Sequence, residues 1–268
     1  MSTSAAPQTE TGPVLLRSDA DGVATLTLNR PGQFNSLSTE LLGELQDALE
    51  AIAKDPAVRV VVMAGAGKAF CAGHDLKQMR ANHDKAYMQR LFAQCGQVML
   101  AIIRLPQPVI ARVHGIAAAA GCQLVATCDL AVAADVARFA VSGINVGLFC
   151  ATPSVALARN MGRKQAMEML LTGEFIDAAE AQRRGLVNRV VPPDQLDAEV
   201  KHLTDSICGK SAAAIAMGKQ AFYRQLELGL EGAYQLATET MACNMMCADA
   251  GEGIDAFMQK RKPEWKGR

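Results

Sequence analysis

Apolar and polar positions along the chain follow two regimes. Up to about Thr152, short β-branched runs alternate with amphipathic stretches; beyond it the periodicity is almost wholly helical. Val14–Ser18 and Val23–Asn29 flank Asp19-Ala20-Asp21-Gly22, a strand–turn–strand pattern with an Asp-Gly signal. Asn29-Arg30-Pro31-Gly32 breaks the run. Ser38 is placed to cap a helix whose apolar face is Leu41, Leu42, Leu45, Leu49 and Ile52, and Asp55-Pro56 ends it. The continuous apolar run Val58–Ala64 predicts a strand buried on both faces, followed by a glycine-bearing loop, Gly65–Asp75. A second amphipathic helix carries Leu91, Phe92, Cys95, Val98, Met99, Ile102 and Ile103 and closes at Pro106 and Pro108. Val109–Val113 predicts a strand, Gly115–Ala120 a loop of tiny residues and Gly121–Thr127 a short helix. Leu130–Ala134 and Ala137–Val141 read as a strand pair around Asp135-Val136. Helices are then expected over Ser154–Met161, Lys164–Leu171, Ala178–Arg184, Gln195–Cys208, Ala212–Leu228, Gly232–Cys247 and Glu252–Lys260. The order predicts an α/β core with a helical C-terminal part.

Composition narrows the class. The 268 residues suffice for one large domain, or for one domain with an appendage. Half are apolar and a fifth charged, as a globular protein with a sizeable core requires. Lys+Arg and Asp+Glu both total 27, so nothing points to nucleic acid or an anionic membrane as a bulk partner. The eight cysteines include no C-x-x-C and mostly lie in apolar stretches. They read as reduced thiols packed like small hydrophobes in a reducing, cytoplasmic compartment. Cys243 and Cys247, one helical turn apart, have no His or further Cys beside them, which favours packing over a metal. Residues 1–13, Ser/Thr/Ala/Pro-rich and without Lys or Arg, are expected to be a flexible tail rather than a targeting segment. The nearly apolar Gly115–Ala134 contains Gln123 and Asp129 and changes period midway, which argues against a membrane span.

Two segments could carry chemistry. Phe70-Cys71-Ala72-Gly73-His74-Asp75-Leu76 follows a buried strand with little side-chain bulk. Gly115–Gln123 leads a loop of minimal side chains into a helix start. Such segments let a ligand approach the backbone, and a helix start offers unpaired N–H groups. Two N–H groups aimed at one point make an oxyanion hole. Close helix–sheet packing also favours Gly and Ala, so spacing alone leaves both readings open.

Asn29-Arg30-Pro31 with Asn35-Ser36-Leu37, then Ala69–Leu76, then Gly115–Asp129, resemble successive motifs of the crotonase (enoyl-CoA hydratase/isomerase) superfamily in order and spacing. The resemblance runs from about residue 14 to the C-terminus. It implies a ClpP-like spiral of ββα units over residues 14–200, holding an acyl-CoA site. It also implies a helical trimerisation region over residues 201–268, in homotrimers or dimers of trimers. Carried over by position, the oxyanion-hole N–H groups fall on His74 and Ala120, with Gly121 beside the second. Ala72, Asp75, Leu76 and Lys77 line the thioester and pantetheine path. Phe257 and Lys260 reach the CoA adenine and phosphates, often from a neighbouring subunit. Coenzyme A enters as part of the substrate, with no separate cofactor and no metal.

The chain departs from the pattern it resembles at the two glutamates of the hydratases, which activate water and protonate the α-carbon. Their positions fall on Gln123 and Gly143. Gln can orient a water but exchanges no proton near neutral pH, and Gly has no side chain. His74 is the first candidate to replace them, against the reading that only its backbone N–H works. Cys150 as a nucleophile lacks an identified base. Asp75 reads as positioning its loop, Asp129 as a cap or anchor and His114 as hydrogen-bonded in place. The expected function is acyl-CoA binding with enolate stabilisation in fatty-acid metabolism, hydratase activity being weak. The alternatives are a non-catalytic acyl-CoA sensor or scaffold, and an acyl-CoA thioesterase using Ser142 or Cys150.

Overall fold

A computed structural model describes residues 12–268, so the tail expected over residues 1–13 lies outside the described residues apart from Gly12 and Pro13. Strands β1 (Leu15–Ala20) and β2 (Val23–Leu28) form the expected hairpin. Asp21 and Gly22 both take positive φ, 52° and 79°, as a two-residue turn between twisted strands demands. Helix α1 (Thr39–Ala53) begins at Ser38, whose Oγ accepts from the Leu41 N–H at 3.2 Å, and buries all five leucine and isoleucine positions of its predicted face. Then come β3 (Val60–Gly65), β4 (Ala69–Cys71), α2 (Leu76–Ala81), α3 (Lys85–Arg104), β5 (Val109–Val113), β6 (Ile116–Ala118), α4 (Ala120–Thr127), β7 (Leu130–Ala134) and β8 (Arg138–Ala140). The remaining elements are α5 (Ala151–Asn160), α6 (Arg163–Thr172), β9 (Ile176–Asp177), α7 (Ala178–Arg183), β10 (Arg189–Val191), α8 (Leu196–Cys208), α9 (Ala212–Gln225), α10 (Leu230–Met245) and α11 (Ala248–Met258).

The strands divide between two sheets, ordered β1-β2-β3-β5-β7-β10 and β4-β6-β8-β9. Each of the pairs β3/β4, β5/β6 and β7/β8 gives its first strand to the larger sheet and its second to the smaller. Successive units stack in parallel: Val61 opposite Val109 and Ile110 opposite Leu130 in one sheet, Ile116 opposite Arg138 in the other. That repetition is a spiral of ββα turns. The run at β3 is buried on both faces, as its unbroken hydrophobicity predicts. Val61 and Met63 face the main core, while Val60 and Val62 pack with Leu196 and Val200 of α8.

Three expectations need correction. Gly115–Ala120 is not all loop, because β6 pairs with β4 on one side and β8 on the other. Two-sided pairing compensates for its weak strand propensity. Its small residues serve close packing: a Cβ at Gly115 would stand 2.3 Å from the Lys68 carbonyl oxygen. Likewise β4 interrupts the expected 65–75 loop. The strands around Asp135-Val136 exist but do not pair with each other, since β7 and β8 belong to different sheets.

A buried ion pair ties the C-terminal helices to the core. Lys219 Nζ on α9 donates to Asp129 Oδ2 at 2.6 Å and to the carbonyls of Ile102 and Gln107 at 2.9 and 3.0 Å. Tyr223 Oη donates to Asp129 Oδ1 at 2.9 Å, and Oδ2 also accepts from the Val109 N–H. Asp129 is therefore the anchor that its position suggested. The same helices leave large apolar side chains uncovered, with Leu230, Tyr234, Met246 and Phe257 at least 70 % exposed. Cys243, expected to pack in the core, is exposed on α10, where its thiol donates to Glu239. Among the described residues no helix is long and apolar enough to cross a membrane.

Candidate active site

The loop after β4 is held from behind. Asn35 is buried at a positive φ of 56°. Its Nδ2 donates to the carbonyls of Ala66, Ala69 and Phe70 at 2.8, 2.8 and 3.2 Å, and its Oδ1 accepts from the Arg30 N–H at 2.9 Å. The Arg30 guanidinium donates to the Ser36 carbonyl at 2.5 Å and to Asp75 Oδ2 at 2.9 Å. Asp75 Oδ1 in turn accepts from the N–H groups of Lys77 and Gln78, both at 3.1 Å, and so caps α2. Burial works against its charge, but Arg30 and the two amides outweigh it and hold its pKa below the ordinary carboxylate value. Asp75 is thus committed to positioning the loop, as the sequence suggested. The Asp75-x-x-Gln78 spacing was the available signal for α2, which pattern reading missed. His114 is also fixed, its Nε2 lying 2.9 Å from the Gly67 carbonyl oxygen.

The loop meets the turn between β6 and α4. Gly73 has φ +96°, and a Cβ there would come within 2.8 Å of Ala119 Cβ and 3.3 Å of the Ala120 nitrogen. Only glycine permits this approach. Ala119 itself sits at φ 49°, ψ −118°, a conformation L-residues rarely adopt. The strained residue makes a sharp strand-to-helix turn, so that the first helical amide, Ala120 N–H, emerges beside the loop. Among the described residues, neither the Ala120 N–H nor the His74 N–H has an acceptor.

Both residues line a cavity of about 530 Å³, with Ala72, Asp75, Leu76, Lys77 and Gly143 also on its wall. That size is ordinary for a small-molecule site. Asp75, already engaged, is the one carboxylate that the described residues place on the wall. The His74 ring packs edge-on to Phe92, centroids 5.4 Å apart, and both ring nitrogens are occluded, with no well-formed hydrogen bond among the described residues. Burial lowers its pKa to about 4, offset only in part by the Leu37 main chain, so the imidazole is neutral near pH 7. This geometry favours the backbone role of His74 over an acid–base role for its ring. Cys150 is on the wall too; burial raises its pKa, opposed by the Gly143 main chain, so it is a thiol and not a thiolate.

The sequence profile of the enoyl-CoA hydratase/isomerase family matches residues 18–268. The chain belongs to that family. A relative from Xenopus laevis, named enoyl-CoA hydratase domain-containing protein 3, mitochondrial, is 45 % identical over 253 residues, covering 94 % of this chain and 86 % of its own. The crystal structure of an enoyl-CoA hydratase from Mycobacterium smegmatis superposes with a TM-score of 0.93 at 62 % identity, covering 95 % of this chain and 99 % of that one. The human enoyl-CoA hydratase domain-containing protein 3 does so with a TM-score of 0.92 at 43 % identity, covering 94 % and 100 %. The spiral of ββα turns is accordingly the crotonase fold.

Within this enoyl-CoA hydratase/isomerase chain, the carried-over positions divide. The cavity brings together Ala72, His74, Asp75, Leu76, Lys77, Ala120 and Gly143. Gly121 is off the wall: a Cβ there would lie 2.1 Å from the Cys71 carbonyl oxygen, so tight helix–strand packing explains it. Gln123, one turn beyond Ala120, is buried and also off the wall, with no partner for its Oε1. Phe257 and Lys260, at the end of α11, line no part of this cavity. Gly143 carries a second message. A Cβ there would stand 2.6 Å from the Leu148 carbonyl oxygen and 2.7 Å from Cys150 Sγ, so the space is already taken. Sequence reading singled out neither the Arg30–Asp75 brace nor the role of Asn35, although both asparagine and arginine stand in the matched motif.

Proposed function

We propose that this chain binds an acyl-CoA thioester and polarises its carbonyl with the N–H groups of His74 and Ala120. The observation that carries this reading is the pair of partnerless amides, presented by adjoining loops to one cavity. Fixed N–H donors of this kind stabilise charge developing on a thioester oxygen without reorganising. Ala72, Asp75, Leu76 and Lys77 would flank the thioester and pantetheine. Coenzyme A is part of the ligand, and no separate cofactor is assigned. Phe257 and Lys260 would serve a neighbouring subunit's CoA, in a homotrimer or a dimer of trimers. The uncovered apolar surface of α9–α11 supports such association. Residues 14–200 would then carry the site and residues 201–268 the assembly contacts. The eight free cysteines support a reducing compartment, and we assign the cytoplasm, whereas the Xenopus relative's name places that protein in mitochondria.

A second reading, a thioester sensor or scaffold without turnover, is favoured by one observation: the described residues place no free carboxylate on the wall, and the Gly143 position is closed. Calorimetric titration with acetyl-CoA tests the first reading; absence of binding at millimolar ligand overturns it. Crotonyl-CoA hydration separates the two. Turnover on the order of 1–10³ s⁻¹ would overturn the assignment of Gln123 and Gly143 as degenerate.

A further inference from the structure

We propose that residues 261–268 are a positioning device: clamped by Glu252 and Asp249, they preset Lys260 and Phe257 for the nucleotide half of a CoA ester held by a neighbouring subunit. The inference rests on the reading above that these two side chains serve that ligand, and it assigns the residues that hold them. Helix α11 ends where Lys260 takes φ 54°, in the left-handed region that favours glycine. The Lys260 N–H donates to the Phe257 carbonyl at 3.2 Å and the Arg261 N–H to the Ala256 carbonyl at 3.0 Å, the paired bonds of a Schellman motif. A lysine persists in that conformation only where its surroundings hold it. Here the Arg261 guanidinium grips both oxygens of Glu252, at 2.6 and 2.8 Å, and the Glu264 N–H donates to the same carboxylate at 2.7 Å.

The chain then runs back along α11 to its first turn. The Lys266 and Gly267 N–H groups donate to Asp249 Oδ1 and Oδ2 at 2.6 and 2.9 Å, and Ser211 Oγ donates to Oδ2 at 2.6 Å. Asp249 is 2 % exposed, and a carboxylate so buried is held by the donors that satisfy it. Trp265 Nε1 donates to the Gly209 carbonyl at 2.8 Å, and the indole lies so close to Gly253 that a Cβ there would stand 3.1 Å from it. Trp265 and Phe257 also share the wall of a cavity of about 310 Å³. None of these contacts uses the Lys260 ammonium, which has no partner among the described residues, and Phe257 is 85 % exposed. The segment therefore fixes the backbone on which a cation and an aromatic ring stand, and leaves both side chains open to an anionic, aromatic ligand. Ordering that backbone beforehand removes part of the entropic cost of binding.

Ligand-observed NMR on the full chain tests this with acetyl-CoA and with S-acetylpantetheine, which lacks the nucleotide. The parent should bind acetyl-CoA the tighter. Two variants loosen the clamp. Glu252→Gln removes the charge that grips Arg261, and Asp249→Asn turns an amide donor toward the Lys266 and Gly267 N–H groups. Each should weaken acetyl-CoA by about tenfold, the effect of having to order two side chains on binding. Affinity for S-acetylpantetheine should be unchanged, and native mass spectrometry should show the parental oligomer. Equal weakening of both ligands, loss of the oligomer, or failure of either variant to weaken acetyl-CoA overturns the inference and leaves the thioester reading standing. If the parent binds the two ligands equally, or is a monomer, the assignment of Phe257 and Lys260 to a neighbour's ligand fails and the inference with it. If the parent binds neither, the thioester reading itself fails.

Discussion

Gly143→Glu puts a carboxylate where the family resemblance implies that hydratases carry one, and the structure says that it will not fit. A Cβ at residue 143 would lie 2.6 Å from the Leu148 carbonyl oxygen and 2.7 Å from Cys150 Sγ, both below any ordinary contact distance. The backbone itself is not the obstacle, since Gly143 is absent from the glycines with positive φ. The penalty is one of volume. Overpacking of this kind typically destabilises by about 1–3 kcal/mol, and each kcal/mol lowers the melting temperature by about 2–4 °C in a chain approaching this size. A carboxylate facing apolar neighbours adds to the loss unless it stays protonated. Gly143→Glu is therefore expected to melt several degrees lower and to gain no hydration of crotonyl-CoA, alone or with Gln123→Glu. Adding Cys150→Gly removes one of the two collisions, so that only the Leu148 carbonyl, a backbone atom 2.6 Å away, must still move aside. Only that triple variant should recover turnover, by up to the roughly 10²–10⁴ that an acid–base group contributes. Thermal unfolding and a spectrophotometric hydration assay across the four proteins make the test. Should Gly143→Glu alone keep the parental melting temperature and hydrate crotonyl-CoA, the reasoning from closed space is wrong.

Further perturbations probe the supports of the site. His74 has its pKa lowered from 6.5 to about 4, so between those values the unfolded chain binds a proton that the folded chain refuses. Stability contributed by the neutral ring is thus present above pH 6.5 and lost on acidification toward pH 4, by about 3 kcal/mol at most. His74→Gln should show a shallower decline in denaturation midpoint over that window, and parallel curves for the two proteins would contradict the assignment. Lys219→Met leaves Asp129 buried with only Tyr223 and the Val109 amide as donors. Breaking such a pair from one side should destabilise by about 3–5 kcal/mol in urea titration and speed hydrogen exchange along α9; a change under about 1 kcal/mol would show that the pair is not the anchor. Ala119→Gly relieves a residue held at φ 49°, ψ −118° and should raise stability by about 1 kcal/mol. Destabilisation would mean instead that the Ala119 methyl, packed against the Gly73 loop, outweighs the strain.

Much of the fold was legible because local signals agreed with burial. Ser38 and the α1 face, the Asp21-Gly22 turn and the doubly buried β3 came directly from capping, turn chemistry and period. Strands β4, β6, β9 and β10 were hidden for one physical reason. Each is two or three residues long, too short to display a period, and its strand character comes from neighbours distant in sequence. Candidate chemistry divided the same way. The small residues at Gly73 and Ala119-Ala120 pointed to the amide pair, because absence of bulk is visible in a sequence. The missing carboxylates at Gln123 and Gly143 were also visible, because they are residue identities. What could not be read was that Cys150 fills the Gly143 space, that Arg30 spans 45 positions to brace Asp75, and that the His74 ring turns its nitrogens into an occluded pocket. These are properties of packing between loops that only the folded spiral brings together. They also bear on activity differently from a bare substitution. A glutamate replaced by glycine alone could be restored by one mutation, whereas a site repacked around that glycine resists restoration until its neighbour is trimmed. If Gly143 stands where the family's glutamate does, the closed wall around it resists that chemistry, whereas the proposed binding of a thioester makes no demand on the closed position.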